Sequence, residues 1–418
     1  MESKSNRRLH RSSKKLKSTF ILNEYQIQYY KELQAAHNNR KKLAAVSLGF
    51  PAELLWPFGI IPIYPQNHAA MYATFGLARD VLEQVEGKGY LSDICSEIKI
   101  AFGALLYDLQ LPYRLPKPDM VLAATNVCRP MAKFGELVGE GLNIPYFLLD
   151  IPFLKNDNPP KAHLEYVTKQ FRELLEFLSG QTGTVPKPDD IKETRVQSAR
   201  AAYLWHDILQ LCSVIPSPID ALDLYVHMFP IVTLRGRKRV VEYYTILKSE
   251  LQDRVNKGIG TIKNEKYRLL WDYLPIYHKI DFFSQILASK GASVVTSTFF
   301  FPLGGFSRLD GEIPEYHHEL DVEGLAKDFM VLYPNFSLRQ KANTIKEIVS
   351  KFSIDGVVIH SDRSCKSQSL MQYQLKNIIE REIGIPCIVI DSDSVDPRFF
   401  SEEQIINRID AFLENLSK

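Results

Sequence analysis

The sequence predicts an α/β protein: two similar parallel-sheet α/β domains joined by a helical connector, with a basic N-terminal tail. Three observations predict it. Runs such as Gly356 to Ile359 and Ile385 to Ile390 are continuously apolar and β-branched, as in parallel strands buried on both faces. One pattern occurs twice: Asp119 to Cys128 spans nine positions and Asp355 to Cys365 ten. Each cysteine is followed by a helix, then Ile-Pro, four strand residues and an Asp, namely Ile144-Pro145 to Asp150 and Ile385-Pro386 to Asp391. Between the copies, residues 161–260 read mostly as helix. Both cysteines fall in the loop after a strand, where open α/β sheets bind ligands.

At 418 residues the chain exceeds one ordinary core, and several domains are expected. Apolar and charged contents of 45% and 24% are those of a globular protein, and a net charge of +2 argues neither for nor against a nucleic-acid surface. Five scattered cysteines do not make a disulfide framework. No apolar run reaches the roughly 18 residues of a membrane span, and no secretory signal is recognisable. A cytoplasmic protein is expected, with no membrane and no nucleic-acid partner.

Residues 1–40 comprise the tail, with seven Lys or Arg in the first 17 positions, and a helix from Leu22 to Asn39 with Ile27, Tyr30, Leu33 and Ala36 along one side. A solvated tail is the reading taken. The first α/β domain, 41–160, begins with a strand over Leu43 to Leu48, a Gly49-Phe-Pro51 turn, a short helix over Ala52 to Phe58 and a strand from Ile60 to Tyr64. A helix over 68–88 follows, then one from Ser92 to about Leu109 with Cys95 in its first turn. Next come the Asp119 strand with its Cys128 loop, a helix opened by Pro130 and ended at Gly139 or Gly141, and the strand leading to Asp150. The match between copies extends upstream: Leu43 to Ile63 and Arg268 to Val295 both contain Pro, a helical stretch, Gly and a strand.

In the connector, 161–260, Leu164, Val167, Phe171, Leu174 and Leu178 form an amphipathic stripe. Helices to Leu211, over Ala221 to His227 and over Lys238 to Asn256 complete it. In the second α/β domain, 261–418, a helix after Cys365 carries Leu370, Tyr373, Gln374, Ile378 and Ile379. The chain ends in a helix behind a Ser401-Glu-Glu-Gln404 capping box.

Cys95, Cys128 and Cys365 each sit at or beside a helix start, where dipole and free N–H groups favour thiolate. Cys212 and Cys387 read as core residues. Three dispersed thiolates can hold an iron–sulfur cluster by three irons and leave the fourth open. With no Cys-x-x-Cys pair, three unrelated buried thiols remain the alternative, and zinc a further one.

Several motifs together resemble the family of 2-hydroxyacyl-CoA dehydratases and ATP-dependent benzoyl-CoA reductases. They are Gly49-Phe-Pro-Ala-Glu-Leu-Leu with Gly59-Ile-Ile-Pro62, Thr125-Asn-Val-Cys128, and Asp355 through Cys365-Lys366. Gly384-Ile-Pro386 with Asp391-Ser-Asp393, and Arg408-Ile-Asp-Ala-Phe-Leu-Glu, complete the set. The likeness runs from about Lys41 to the end, and Arg363-Ser-Cys365-Lys366 looks more like the benzoyl-CoA reductase branch. The resemblance implies one 4Fe-4S cluster per chain on Cys95, Cys128 and Cys365. It also implies a homologous second subunit, an acyl-CoA substrate near their interface, and an ATP-hydrolysing iron–sulfur activator that delivers low-potential electrons. The reaction implied is one-electron reduction of a CoA thioester, leading to ring reduction or, in the dehydratase alternative, to loss of the 2-hydroxyl.

One departure bears on catalysis. Gln66 stands where relatives are expected to carry Glu, and an amide cannot act as acid or base. His68 is then a candidate for proton transfer, or else a helix cap; Gln66 and Glu53 are candidates for substrate contact, with a helix-start carboxylate the plainer role for Glu53. His360, just before the Cys365 loop, is a candidate for a hydrogen bond supporting the cluster, or an ordinary strand-end histidine. A cluster-holding accessory protein and a non-catalytic interaction protein are the remaining alternatives.

Overall fold

Two four-stranded parallel sheets form the frame of the computed structural model, which describes residues 16–107, 109, 114–303 and 322–417. Most of the basic tail, residues 1–15, lies outside the described residues. The first sheet contains β1 (Lys42–Val46), β2 (Ile60–Ile63), β3 (Met120–Ala124) and β4 (Tyr146–Leu149), in the order β2-β1-β3-β4. The second contains β5 (Tyr267–Asp272), β6 (Ala292–Ser297), β7 (Gly356–Asp362) and β8 (Cys387–Ser392), in the order β6-β5-β7-β8. The two orders are the same, so the repeated sequence pattern corresponds to a repeated topology.

The repeat reaches single hydrogen bonds. Asp119 Oδ2 accepts from the Leu43 amide at 2.8 Å, and Asp355 Oδ2 accepts from the Arg268 amide at 2.8 Å. Each carboxylate thereby pins the start of the central strand pair. Gly59 and Gly291, both at φ 71°, turn the chain into β2 and β6. Pro62 is accommodated because β2 is an edge strand.

Buried strand positions, continuous along β3 and β5, confirm coverage on both faces by helices. The connector consists of Lys161–Thr182, Pro188–Leu211, Ala221–His227, Phe229–Thr233 and Lys238–Asn256. The stripe Val167, Phe171, Leu174 and Leu178 is fully buried. Among the described residues no helix is long and apolar enough to cross a membrane.

Several boundaries differ from expectation. The first helix runs Lys17–Ala35, five residues earlier, because the Glu250 carboxylate accepts from the Lys17 and Ser18 amides at 2.6 and 2.9 Å. The helix expected over 68–88 is two, Pro65–Thr74 and Ala78–Glu86, broken where Gly76 takes φ 74°. The segment after Cys365 is not one helix but Lys366–Ser369, Gln372–Ile378 and a π-turn over Ile379–Ile383. Leu370 and Tyr373, two of the residues that carry the helical spacing, are exposed. Ser401 precedes the last helix, Glu402–Leu416, without a side-chain cap bond.

Candidate functional site

The chain reverses its strand order between β1 and β3, and again between β5 and β7. Crevices at such switch points open at the carboxyl ends of the strands, and the two crevices face each other across the halves. Cys95 is the N-cap of the helix Ser96–Leu105, Cys128 lies two residues before Pro130–Leu142, and Cys365 caps the short helix Lys366–Ser369.

Hydrogen bonds tie these three loops together. The Ser96 amide donates to Ser364 Oγ at 3.1 Å, Ser96 Oγ donates to Asp393 Oδ1 at 2.6 Å, and Ser367 Oγ donates to Cys128 Sγ at 3.4 Å. Residues adjoining each cysteine thus bridge the first half to the second. The thiols lie in one another's field. Burial pushes Cys95 well above the usual thiol range, and Glu97, Cys128 and Cys365 push it further. Burial, Asp362, Cys128 and Glu97 do the same to Cys365, and burial leads the rise at Cys128. In the metal-free chain desolvation thus opposes the thiolate form that a helix start favours. Among the described residues no three His, Cys, Asp or Glu side chains gather closely enough to hold a single metal ion.

A carboxyl unnoticed in the sequence lies among them. Glu97 is buried, and burial raises its pKa to about 8, against the pull of the Gln66 hydrogen bond. Gln66 Oε1 accepts from the Leu48 amide at 2.7 Å while its Nε2 donates to Glu97 Oε2 at 3.1 Å. Gln66 is thus a positioning amide between the first loop and an acid that carries a proton at neutral pH. Asp362 is also pushed up, by burial and then by Asp393. On the second half Lys341, its pKa lowered to about 8 by burial, donates to Gln368 Oε1 at 3.0 Å behind the Cys365 turn.

Beside the thiols a cavity of about 70 Å³ opens between the halves and the connector. Val127 and Tyr273 line it. Tyr273 is buried with φ 71°, a left-handed backbone that side chains other than glycine adopt only when their surroundings enforce it. Tyr225 Oη and Ser297 Oγ donate to its carbonyl, and its amide donates to Thr298 Oγ1. Gly49, also lining the cavity, takes φ 84°, and a Cβ there would meet Val127 Cγ2 at 2.6 Å. The Asn126 amide locks this approach by donating to Gly49 O and Phe329 O.

The other expected residues stand elsewhere. His68 is neither a cap nor beside the thiols: Tyr64 caps its helix, and His68 packs buried on Tyr72 with Nδ1 3.5 Å from Tyr30 Oη. Burial lowers its pKa to about 3. Glu53 stands in the first turn of Ala52–Phe58, as a helix-start carboxylate would, and is in addition a buried ion-pair partner. Arg195 Nη1 and Ser198 Oγ donate to its Oε1 at 3.3 and 3.1 Å, and Arg235 Nε lies 3.6 Å away. His360 Nδ1 donates to Leu274 O at 2.9 Å, and no hydrogen bond joins it to a thiol among the described residues.

These features define a twin-domain α/β protein whose halves jointly present three thiols and an acid beside an apolar cavity. The chain belongs to the family described as 2-hydroxyglutaryl-CoA dehydratase, D-component, whose model matches residues 47–416. It is 28% identical over 404 residues to the (R)-2-hydroxyisocaproyl-CoA dehydratase alpha subunit of Clostridioides difficile, covering 96% of this chain and 97% of that one. It is 29% identical to the (R)-phenyllactyl-CoA dehydratase alpha subunit of Clostridium sporogenes, covering 91% and 90%. It is 28% identical to a benzoyl-CoA reductase subunit of Thauera aromatica, covering 87% and 85%.

Proposed function

We propose that the chain is the cluster-bearing, alpha-type subunit of a 2-hydroxyacyl-CoA dehydratase, working with a homologous second subunit and an ATP-driven iron–sulfur activator. The observation that carries the reading is the convergence of Cys95, Cys128 and Cys365 from both halves. Their donor set fits a 4Fe-4S cluster: three thiols share one electrostatic neighbourhood. In a cluster each thiolate takes a different iron. Once bound, the cluster supplies single electrons and one iron without a protein thiolate, able to polarise a thioester oxygen.

The chain's own residues do the rest. Glu97 holds a proton on the carboxyl oxygen that Gln66 does not use and offers it to a departing hydroxyl. Tyr273 and Val127 form the wall beside the thiols and keep bulk water from the reacting carbon. Most of the relatives are dehydratase alpha subunits, which favours dehydration over the reductase branch expected first. Benzoyl-CoA reduction is the second reading, carried by Arg363-Ser-Cys365-Lys366 and the relative from Thauera aromatica.

The test is anaerobic purification with the partner subunit, followed by assay of 2-hydroxyacyl-CoA and benzoyl-CoA with a strong reductant, activator and ATP. About four irons per chain and water loss from the 2-hydroxyacyl-CoA are expected, and Cys365→Ala should bleach the visible absorbance. Iron content unchanged by that substitution overturns the assignment.

A further inference from the structure

We propose that the cavity between the halves takes the acyl end of the substrate and selects a compact apolar group, branched alkyl or aryl, over a carboxylated one. The proposal rests on the acyl-CoA reading above and deepens it. Val127, next to Cys128, and Tyr273, whose phenol lies in the field of Cys365 and Cys128, place the cavity beside the thiols. From there its walls are carbon: Phe50, Ile231, Val232, Phe299, Phe329 and Leu332. These side chains come from the first loop, the connector and the second half, so their packing, not one loop, sets the shape. The cavity is small, about 70 Å³, so a compact group fits it better than a long chain.

The two charged lining residues, Arg235 and Asp328, are committed to partners. Arg235 Nε donates to Ser198 Oγ at 2.7 Å and faces Glu53 Oε1 at 3.6 Å. Arg195 donates to Glu53 Oε1 and to Asp328 Oδ2, both at 3.3 Å. Two guanidiniums thus meet two carboxyl groups, and both guanidiniums are engaged within the cluster. A carboxylated acyl chain would set a further anion against carbon walls whose one cation among the described lining residues, Arg235, is already engaged, a strongly unfavourable transfer. An alkyl or aryl group gains contact with the carbon walls instead.

The test is anaerobic calorimetry on the chain with its partner subunit, using CoA, isocaproyl-CoA, 3-phenylpropanoyl-CoA and glutaryl-CoA, none of which carries a hydroxyl to lose. The two apolar thioesters should bind at least about tenfold tighter than CoA, the discrimination a few buried methylenes provide, and glutaryl-CoA no tighter than CoA. Val232→Phe should abolish the gain for 3-phenylpropanoyl-CoA while CoA binding persists. Val232→Ala, which widens the cavity and leaves the fold less at risk, should shift preference toward the phenyl compound. Glutaryl-CoA binding as tightly as the apolar pair, no gain for either apolar thioester, or unaltered preference in both variants overturns the proposal. Tight apolar binding without turnover of the matching 2-hydroxyacyl-CoAs sinks the dehydratase reading and leaves the cavity's selectivity standing.

Discussion

Glu97 and Gln66 show how the site differs from what residue identities suggest. An amide at Gln66 looks like a lost acid, but Gln66 orients a different acid, two residues beyond Cys95. Replacing Glu97 by Gln keeps the shape and the hydrogen-bonding partner while removing the proton. Turnover should fall by roughly 10²-fold or more with the visible absorbance of the iron unchanged. Full activity in Glu97→Gln would reduce the residue to a structural role. The cysteines were legible because each lies at or beside a helix start, and Cys128 and Cys365 also follow a strand, places local sequence marks clearly. Glu97 was not, because an acid in a first helical turn is ordinary; only tertiary burial makes it unusual. Tyr273 was invisible for a sharper reason: nothing in a tyrosine signals a positive φ that Tyr225, Ser297 and Thr298 impose from outside.

Elements followed the same division between local and distant causes. Strand runs and the connector's stripe were legible because burial on both faces, or on one helical face, dictates composition directly. Helix ends set by remote groups were not. The Lys17–Ala35 helix begins where Glu250, more than two hundred residues away, satisfies its first amides. Glu250→Ala should lower unfolding free energy by roughly 0.5–1 kcal/mol, as for a lost cap or dipole partner at an accessible helix end. Hydrogen exchange at the Lys17 and Ser18 amides should quicken with it. Unchanged exchange there would mean that packing of Leu22, Tyr29 and Leu33 holds the first turn alone.

At the scale of the whole molecule, folding into two facing crevices buries ionisable groups of both kinds, and this governs how the metal-free chain responds to pH. His68 is lowered to about 3, and His227, His278 and His360 to about 4, chiefly by burial. Each favours the folded state fully above its unfolded pKa of about 6.5 and loses that contribution as pH falls. Glu97 at about 8, Asp328 at about 7 and Asp362, also raised, act in the opposite sense. Their folded forms hold protons that the unfolded chain gives up near pH 4, so their contribution is present at low pH and drains away as pH rises. Asp272 is raised by burial as well, so between about pH 4.5 and 6.5 the two sets nearly cancel, four histidines against four carboxyls. Above pH 6.5 the histidine slope fades while the carboxyl slope persists to the folded pKa of Glu97. Denaturant midpoints of the metal-free chain should therefore be nearly level through the mildly acid range. They should then fall by the equivalent of roughly 2 kcal/mol between pH 6.5 and 8, and Asp328→Asn should shallow that fall. A midpoint rising across that interval would show that these carboxyls reach water in the folded chain, and that the two halves do not close over them.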